Sequence, residues 1–260
     1  MFDRNEFKQI LYDVNSRMGN YFSSYRVGKN GEANEIIRRR GPDVKRAVKN
    51  IAPMIVIEKM GTRPYRLVVD DGVFKLYSKD HAKAILASMA AGVKFQDMGY
   101  GEVLGIAQDL IKYTNSDLSE NKGFESFLST YINGLHSVMC EQISFDHGFM
   151  PELYKHVMGS LGLMKMRPSW REMSTPGIEY NPVNDLVNLF NTSYGSPAFH
   201  VAGYKNEAQA IDNLTKEVLA GKLSDKGHLS RYETFRDSFC VNRSVTPSEI
   251  VNNFSYAINF

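Results

Sequence analysis

Two helical runs divided by a single break constrain this chain more than any other feature. Phe124, Phe127, Leu128, Tyr131, Ile132, Leu135, Val138, Met139 and Ile143 recur at the three-and-four spacing that lines one face of a helix. After Asp146, His147 and Gly148 a second run follows, carrying Leu153, Tyr154, Val157, Met158 and Leu161, with Pro151 placed for a first helical turn. Two helices joined by a short glycine-containing turn can hide their apolar faces against each other. The spacing therefore predicts a helical hairpin at the centre of a mainly helical core.

The rest of the chain divides around that hairpin. Asp3 and Glu6 have the spacing of a capping pair, and Phe7, Ile10, Leu11, Val14 and Met18 follow at helical period. Residues 20–34 read as a loop or arm. Pro42 suits the start of another helix, with Val44, Ala47, Val48 and Ile51 inward. From Met54 the period changes. Residues 54–57, 65–69 and 73–77 are β-favouring runs punctuated by Gly61-Thr62-Arg63-Pro64 and by Asp70-Asp71-Gly72. An Asp-Gly turn between extended runs signals a hairpin, so a three-stranded antiparallel meander is expected, packed on helices.

Further helices are expected around Ala82 to Ala90, capped by Ser78 or Asp80, and around Val103 to Ile111, with Gly92 and Gly99-Tyr100-Gly101 bracketing a connector. Residues 162–180 lack a clean period and read as loop. Asn181 and Pro182 mark the cap and first turn of a helix through Phe190. Two more are expected near Ile211 to Leu219 and Leu229 to Phe239. Thr246 and Glu249 form a capping box for a last one.

The fold class expected is mainly α (α+β): a helical bundle-like core with a small three-stranded antiparallel meander. The organisation expected is a single domain over 1–260. An N-terminal helix, arm and basic segment span 1–50, the meander 54–77, central helices 78–166 and C-terminal helices 181–260.

Composition matters where it excludes. With 43% hydrophobic and 23% charged residues the chain suits a folded globule rather than disorder. A net charge of +2 gives no bulk attraction to nucleic acid or anionic membrane. Cys140 and Cys240 are the only cysteines, too few for a disulfide scaffold. No apolar signal run opens the chain and no stretch is long enough to span a bilayer. The expectation is an intracellular, cytoplasmic protein, or a virion component if viral, without a membrane partner.

Charge is concentrated locally. Residues 24–49 hold eight Arg or Lys against three Asp or Glu, a net +5 where the whole chain carries +2. Arg38, Arg39, Arg40, Lys45, Arg46 and Lys49 on one surface would neutralise phosphates and release counterions. Arg63, Arg66 and Lys75 could extend the patch, and Tyr25 and Tyr65 could stack bases if exposed. An ordinary solvated helix face explains the same residues, and so does an acidic protein partner.

Other groupings are weaker. His136 and Cys140 share a helix side, with Asp146, His147 and His156 further on; imidazole, thiolate and carboxylate are all zinc ligands, but such residues also occur half-buried in cores. Asp146 beside His147 could act as an acid–base pair. Asp70 and Asp71 could hold magnesium, although aspartate in a turn needs no ligand to explain it. Trp170 could anchor an interface. No phosphate loop, dinucleotide fingerprint or HExxH motif is present.

These traits point to a non-catalytic subunit of a larger assembly, such as a viral or phage structural or nucleoprotein component. Its partners would be itself or other subunits, with RNA or DNA contacted through the phosphate backbone, and no cofactor is expected. The alternatives are a metal-dependent enzyme acting on a phosphate-containing substrate, built around Asp146, His147 and Asp70, and a protein-binding adaptor.

Overall fold

Asp3 starts the first helix, α1 (Arg4–Met18), through the capping box its spacing from Glu6 predicts. Its Oδ1 accepts the N–H groups of Asn5 and Glu6, each at 2.8 Å, while Glu6 Oε2 accepts the Asp3 N–H at 2.7 Å. The computed structural model describes residues 1–38, 54–58, 61, 63–118, 122–167, 188–189, 192–223 and 226–258, the side chains of Arg38 and Lys122 aside. Backbone packing divides the chain into two units, Met1–Val93 with His147–Leu153, and Lys94–Asp146 with Tyr154–Phe260. The helices expected after Pro42 and around Val183, and Trp170 with its loop, lie outside the described residues.

In the first unit, α1 buries Phe7, Ile10, Leu11, Val14 and Met18. Three strands follow: β1 (Phe22–Gly28), β2 (Ile55–Ile57) and β3 (Tyr65–Asp70), in the order β1-β3-β2. The sheet is mixed. β2 runs antiparallel to β3 as expected, but β1 is parallel to it and arises within residues read as loop. The third run of the expected meander is instead helical, as α3 (Gly72–Leu76).

Asp70 is not a turn residue but the buried end of β3. Its Oδ2 accepts the N–H groups of Gly31 and Met54, and its Oδ1 that of Ala33, at 3.1–3.2 Å. Asn30 Oδ1 accepts the Gly72 N–H at 2.7 Å. These bonds hold the N-terminal end of α2 (Glu32–Arg38) against the end of β3, and the chain leaves β3 as a helix with Val73 and Phe74 buried. Leu67, Val68 and Val69 are all unexposed because β3 is central and covered on both faces. Val68 packs with Ala33 and Val56. Tyr25, in register with Leu67, meets Phe7 edge-on at 4.7 Å, and Phe7 in turn meets Phe2 and Phe74.

Helix α4 (Lys79–Asp97) is capped by Ser78, whose Oγ accepts the His81 N–H at 3.1 Å. It runs straight through Gly92, so the expected connector shrinks to Met98 and Gly99. Lys83 pairs with Asp13 at 2.6 Å and Glu152 at 3.0 Å. Arg17 donates from Nε and Nη2 to the carbonyl oxygen of His147, at 2.9 and 2.6 Å, with its guanidinium 3.8 Å from the centre of the Phe149 ring.

The second unit holds α5 (Tyr100–Thr114), α6 (Lys122–Asp146), most of α7 (Met150–Met166), α8 (Pro197–Val201), α9 (Lys205–Lys222), α10 (Tyr232–Ser238) and α11 (Pro247–Ile258). The helix α7 continues past Gly162, where loop was expected. Leu128, Tyr131, Leu135, Val138, Met139 and Ile143 of α6 are buried, as their period predicts. Yet the backbones nearest to α6 are those of α5, α8 and the turn Ser193–Gly195, not that of the helix which follows it. Tyr131 reaches the carbonyl oxygens of Ser238 and Ile250, and its ring packs against Phe239 and Phe254. The capping box of α11 forms as expected. Thr246 Oγ1 accepts the Glu249 N–H, and Glu249 Oε2 accepts the Thr246 N–H.

Candidate functional site

The basic segment is only partly described. Arg38 closes α2, while its side chain and Arg39, Arg40, Lys45, Arg46 and Lys49 lie outside the described residues. Arg63 and Arg66 are both described; Arg66 lies in β3 and Arg63 just before it. Adjacent strand residues point to opposite faces. Arg66 Nε therefore meets Glu58 Oε2 at 3.3 Å on the face where Arg26 binds Glu58 at 2.5 Å and Glu32 at 2.6 Å. The Arg66 side chain keeps 54% of its exposure. An ion pair that open is worth little and leaves the guanidinium available to a second anion.

Arg63 lies on the other side with the tyrosines. Its guanidinium carbon is 5.5 Å from the centre of the Tyr21 ring, and its Nε is 3.5 Å from the Tyr65 hydroxyl, at the outer limit of a hydrogen bond. Arg63 is exposed; Tyr21 and Tyr65 are half-buried. The exposed Ser23 hydroxyl donates to the Tyr65 carbonyl at 3.3 Å. Tyr65 is half-buried with its hydroxyl beside Arg63, whereas Tyr25 is taken up by packing on α1. Its hydroxyl donates to the Arg4 carbonyl at 2.9 Å and its ring is spent on Phe7. Tyr21 was not marked by the sequence as a site residue. Its place follows from the pairing of β1 with β3, which local pattern does not encode. Lys75 is occupied by Asp71, the residue before α3, at 2.6 Å.

The metal and acid–base groupings are accounted for by packing. Cys140 Sγ is 3.6 Å from His136 Nε2; burial pushes the thiol up to about 12 and the imidazole down, so neutral forms of both are favoured. The His136 ring stands edge-on to Phe95 at 4.7 Å. Asp146 pairs with Arg243 at 2.5 Å. Asp70 is filled by three backbone donors, and Asp71 serves Lys75. Among the described residues no group of three His, Cys, Asp or Glu is placed to hold a metal ion.

Among the described residues is a buried polar cluster that sequence reasoning missed. Asp212, on α9, is 1% exposed. Its Oδ1 accepts the hydroxyls of Ser196 and, at 2.7 Å, Tyr232; its Oδ2 meets His200 Nε2 at 2.8 Å and Arg236 Nη1 at 2.9 Å. Burial alone would raise the Asp212 carboxyl. The hydrogen bonds from Ser196, Tyr232 and His200, with the charge of Arg236, outweigh it and hold the carboxyl below its ordinary range. Serine, histidine and aspartate meet here, but not as a nucleophile, base and orienter. Ser196 is bonded to the carboxylate, not to the imidazole, and all four lone-pair positions of Asp212 are used. The arrangement ties α8, α9 and α10 together.

No protein-family model, curated protein or solved structure matches this chain. No helix among the described residues is long and apolar enough to cross a membrane.

Proposed function

We propose that the protein is a non-catalytic subunit of a larger assembly, of virus- or phage-type structural or nucleoprotein character, that contacts nucleic-acid phosphates. The observation that carries this reading is Arg63, an exposed residue whose guanidinium lies near both Tyr21 and Tyr65. It adds a cation with aromatic neighbours to a chain whose strongest local charge is the run from Arg38 to Lys49. Arg plus tyrosine on an accessible sheet end suits a sugar–phosphate backbone. The carboxylates favour this over the enzymatic alternative, because Asp212 has four partners at its four acceptor positions and the buried Asp70 already holds three backbone N–H groups.

The assembly half of the reading is supported by α5. Ile106, Leu110 and Tyr113 recur at four and three residues on one side of that helix and are 53%, 38% and 81% exposed. An exposed apolar stripe beside the buried Leu104, Ala107 and Ile111 suits a subunit contact. Light scattering with and without polynucleotide, across a salt series, tests both halves. The expected result is a mass above the 29.4 kDa of one chain, and a further increase with polynucleotide that is lost at high salt. A monomer that ignores polynucleotide at every salt concentration contradicts the proposal.

A further inference from the structure

We infer that the Tyr21–Arg63–Tyr65 surface takes unpaired bases, so that the nucleic acid is single-stranded; this rests on the phosphate-contact reading above. The argument begins at Gly19. A Cβ there would lie 3.2 Å from Tyr21 Cε2, and the backbone stands at φ +126°, where side chains are strained. The missing side chain lets the Tyr21 ring settle against the main chain. Arg63 lies over the same ring, 5.5 Å from its centre.

Tyr21 is thus braced by backbone, and Arg63, whose guanidinium lies over the ring, is an exposed residue. A planar cation over an aromatic ring offers a stacking surface and a phosphate donor in one place. Tyr65, 3.5 Å from Arg63 through its hydroxyl, widens that surface, and Ser23 bonds to its carbonyl. A duplex hides the faces of its bases within its own stack and presents only edges and phosphates. Only an unpaired base can lay its face on Arg63 or displace it from Tyr21.

The test uses the full chain and three labelled probes in fluorescence anisotropy: an oligothymidylate, an abasic strand with the same number of phosphates, and a duplex. The base-bearing strand should bind about tenfold more tightly than the abasic one, and more tightly than the duplex. Tyr21→Leu should narrow that gap, weakening the base-bearing strand more than the abasic one. If Tyr21→Leu does not fold, the comparison of the three probes on the unaltered chain decides alone. Equal binding of base-bearing and abasic strands, or tighter binding of duplex, overturns the stacking inference and leaves phosphate contact standing. Absence of salt-sensitive binding to all three overturns both.

Discussion

Tyr232 donates its hydroxyl proton to Asp212 Oδ1 at 2.7 Å, inside a cluster where the carboxylate also receives Ser196, His200 and Arg236. That one bond links α10 to α9 beneath the surface.

Asp212→Asn replaces an acceptor with an amide donor facing Arg236 or Tyr232. Breaking a buried pair of this kind costs about 3–5 kcal/mol, here nearer the lower end because Arg236 keeps Asp237 at 2.7 Å. Urea unfolding should show that loss at pH 7. Tyr232→Phe should cost about 1 kcal/mol. The Asp212 carboxyl lies below its ordinary value of 3.8 in the folded chain. Its contribution is present above that pH and lost as pH falls through the folded value, so Asp212→Asn should also remove part of the acid limb of the stability profile.

Glu141 predicts the opposite slope. The residue is half-buried, but its Oε2 is sealed from solvent and has no hydrogen-bond partner among the described residues. Burial pushes the carboxyl from an ordinary 4.5 up to about 8. Between those values the unfolded chain is ionised and the folded chain is not. Stability from this group therefore falls as pH rises, by about 1.4 kcal/mol per pH unit, and levels off above about pH 8. Glu141→Gln should match the parent chain near pH 4.5 and exceed it progressively up to pH 8, as read from urea midpoints across that range.

Gly134→Ala should destabilise despite the better helix propensity of alanine. The added Cβ would collide with the Phe239 ring edge, which is unexposed and already packed on Tyr131 and Tyr194. The propensity gain is about 1 kcal/mol, and overpacking costs about 1–3 kcal/mol. Thermal melting should show a net loss. Gly105→Ala, on α5 with open space around it, should show a net gain.

The fold was legible where signals are local. The capping pairs Asp3–Glu6 and Thr246–Glu249 and the buried face of α6 follow from spacing alone. β1 was not legible, because its burial does not alternate cleanly and its parallel partner lies some forty residues away. Asp70-Asp71-Gly72 misled for a related reason: the donors that turn Asp70 inward come from Gly31, Ala33 and Met54. The Asp212 cluster draws on three helices, yet it left a trace. Asp212 occupies a core position in the apolar period of Ala208, Ile211 and Val218, and Ser196/His200 and Tyr232/Arg236 are both four apart. A charged residue at a core position calls for donors elsewhere in the chain. Arg63 was visible as a cation; its pairing with Tyr21 depends on the sheet.

The salt dependence of polynucleotide binding tests the central claim most directly. The logarithm of the binding constant for a single strand, plotted against the logarithm of salt concentration, should fall steeply, by about 0.7 for each phosphate neutralised. Arg63→Ala should reduce that slope by about 0.7, and alanine at Arg38, Arg39 and Arg40 together by about 2, with melting temperatures unchanged. A binding constant that does not change with salt, or slopes identical in all three proteins, would contradict the account.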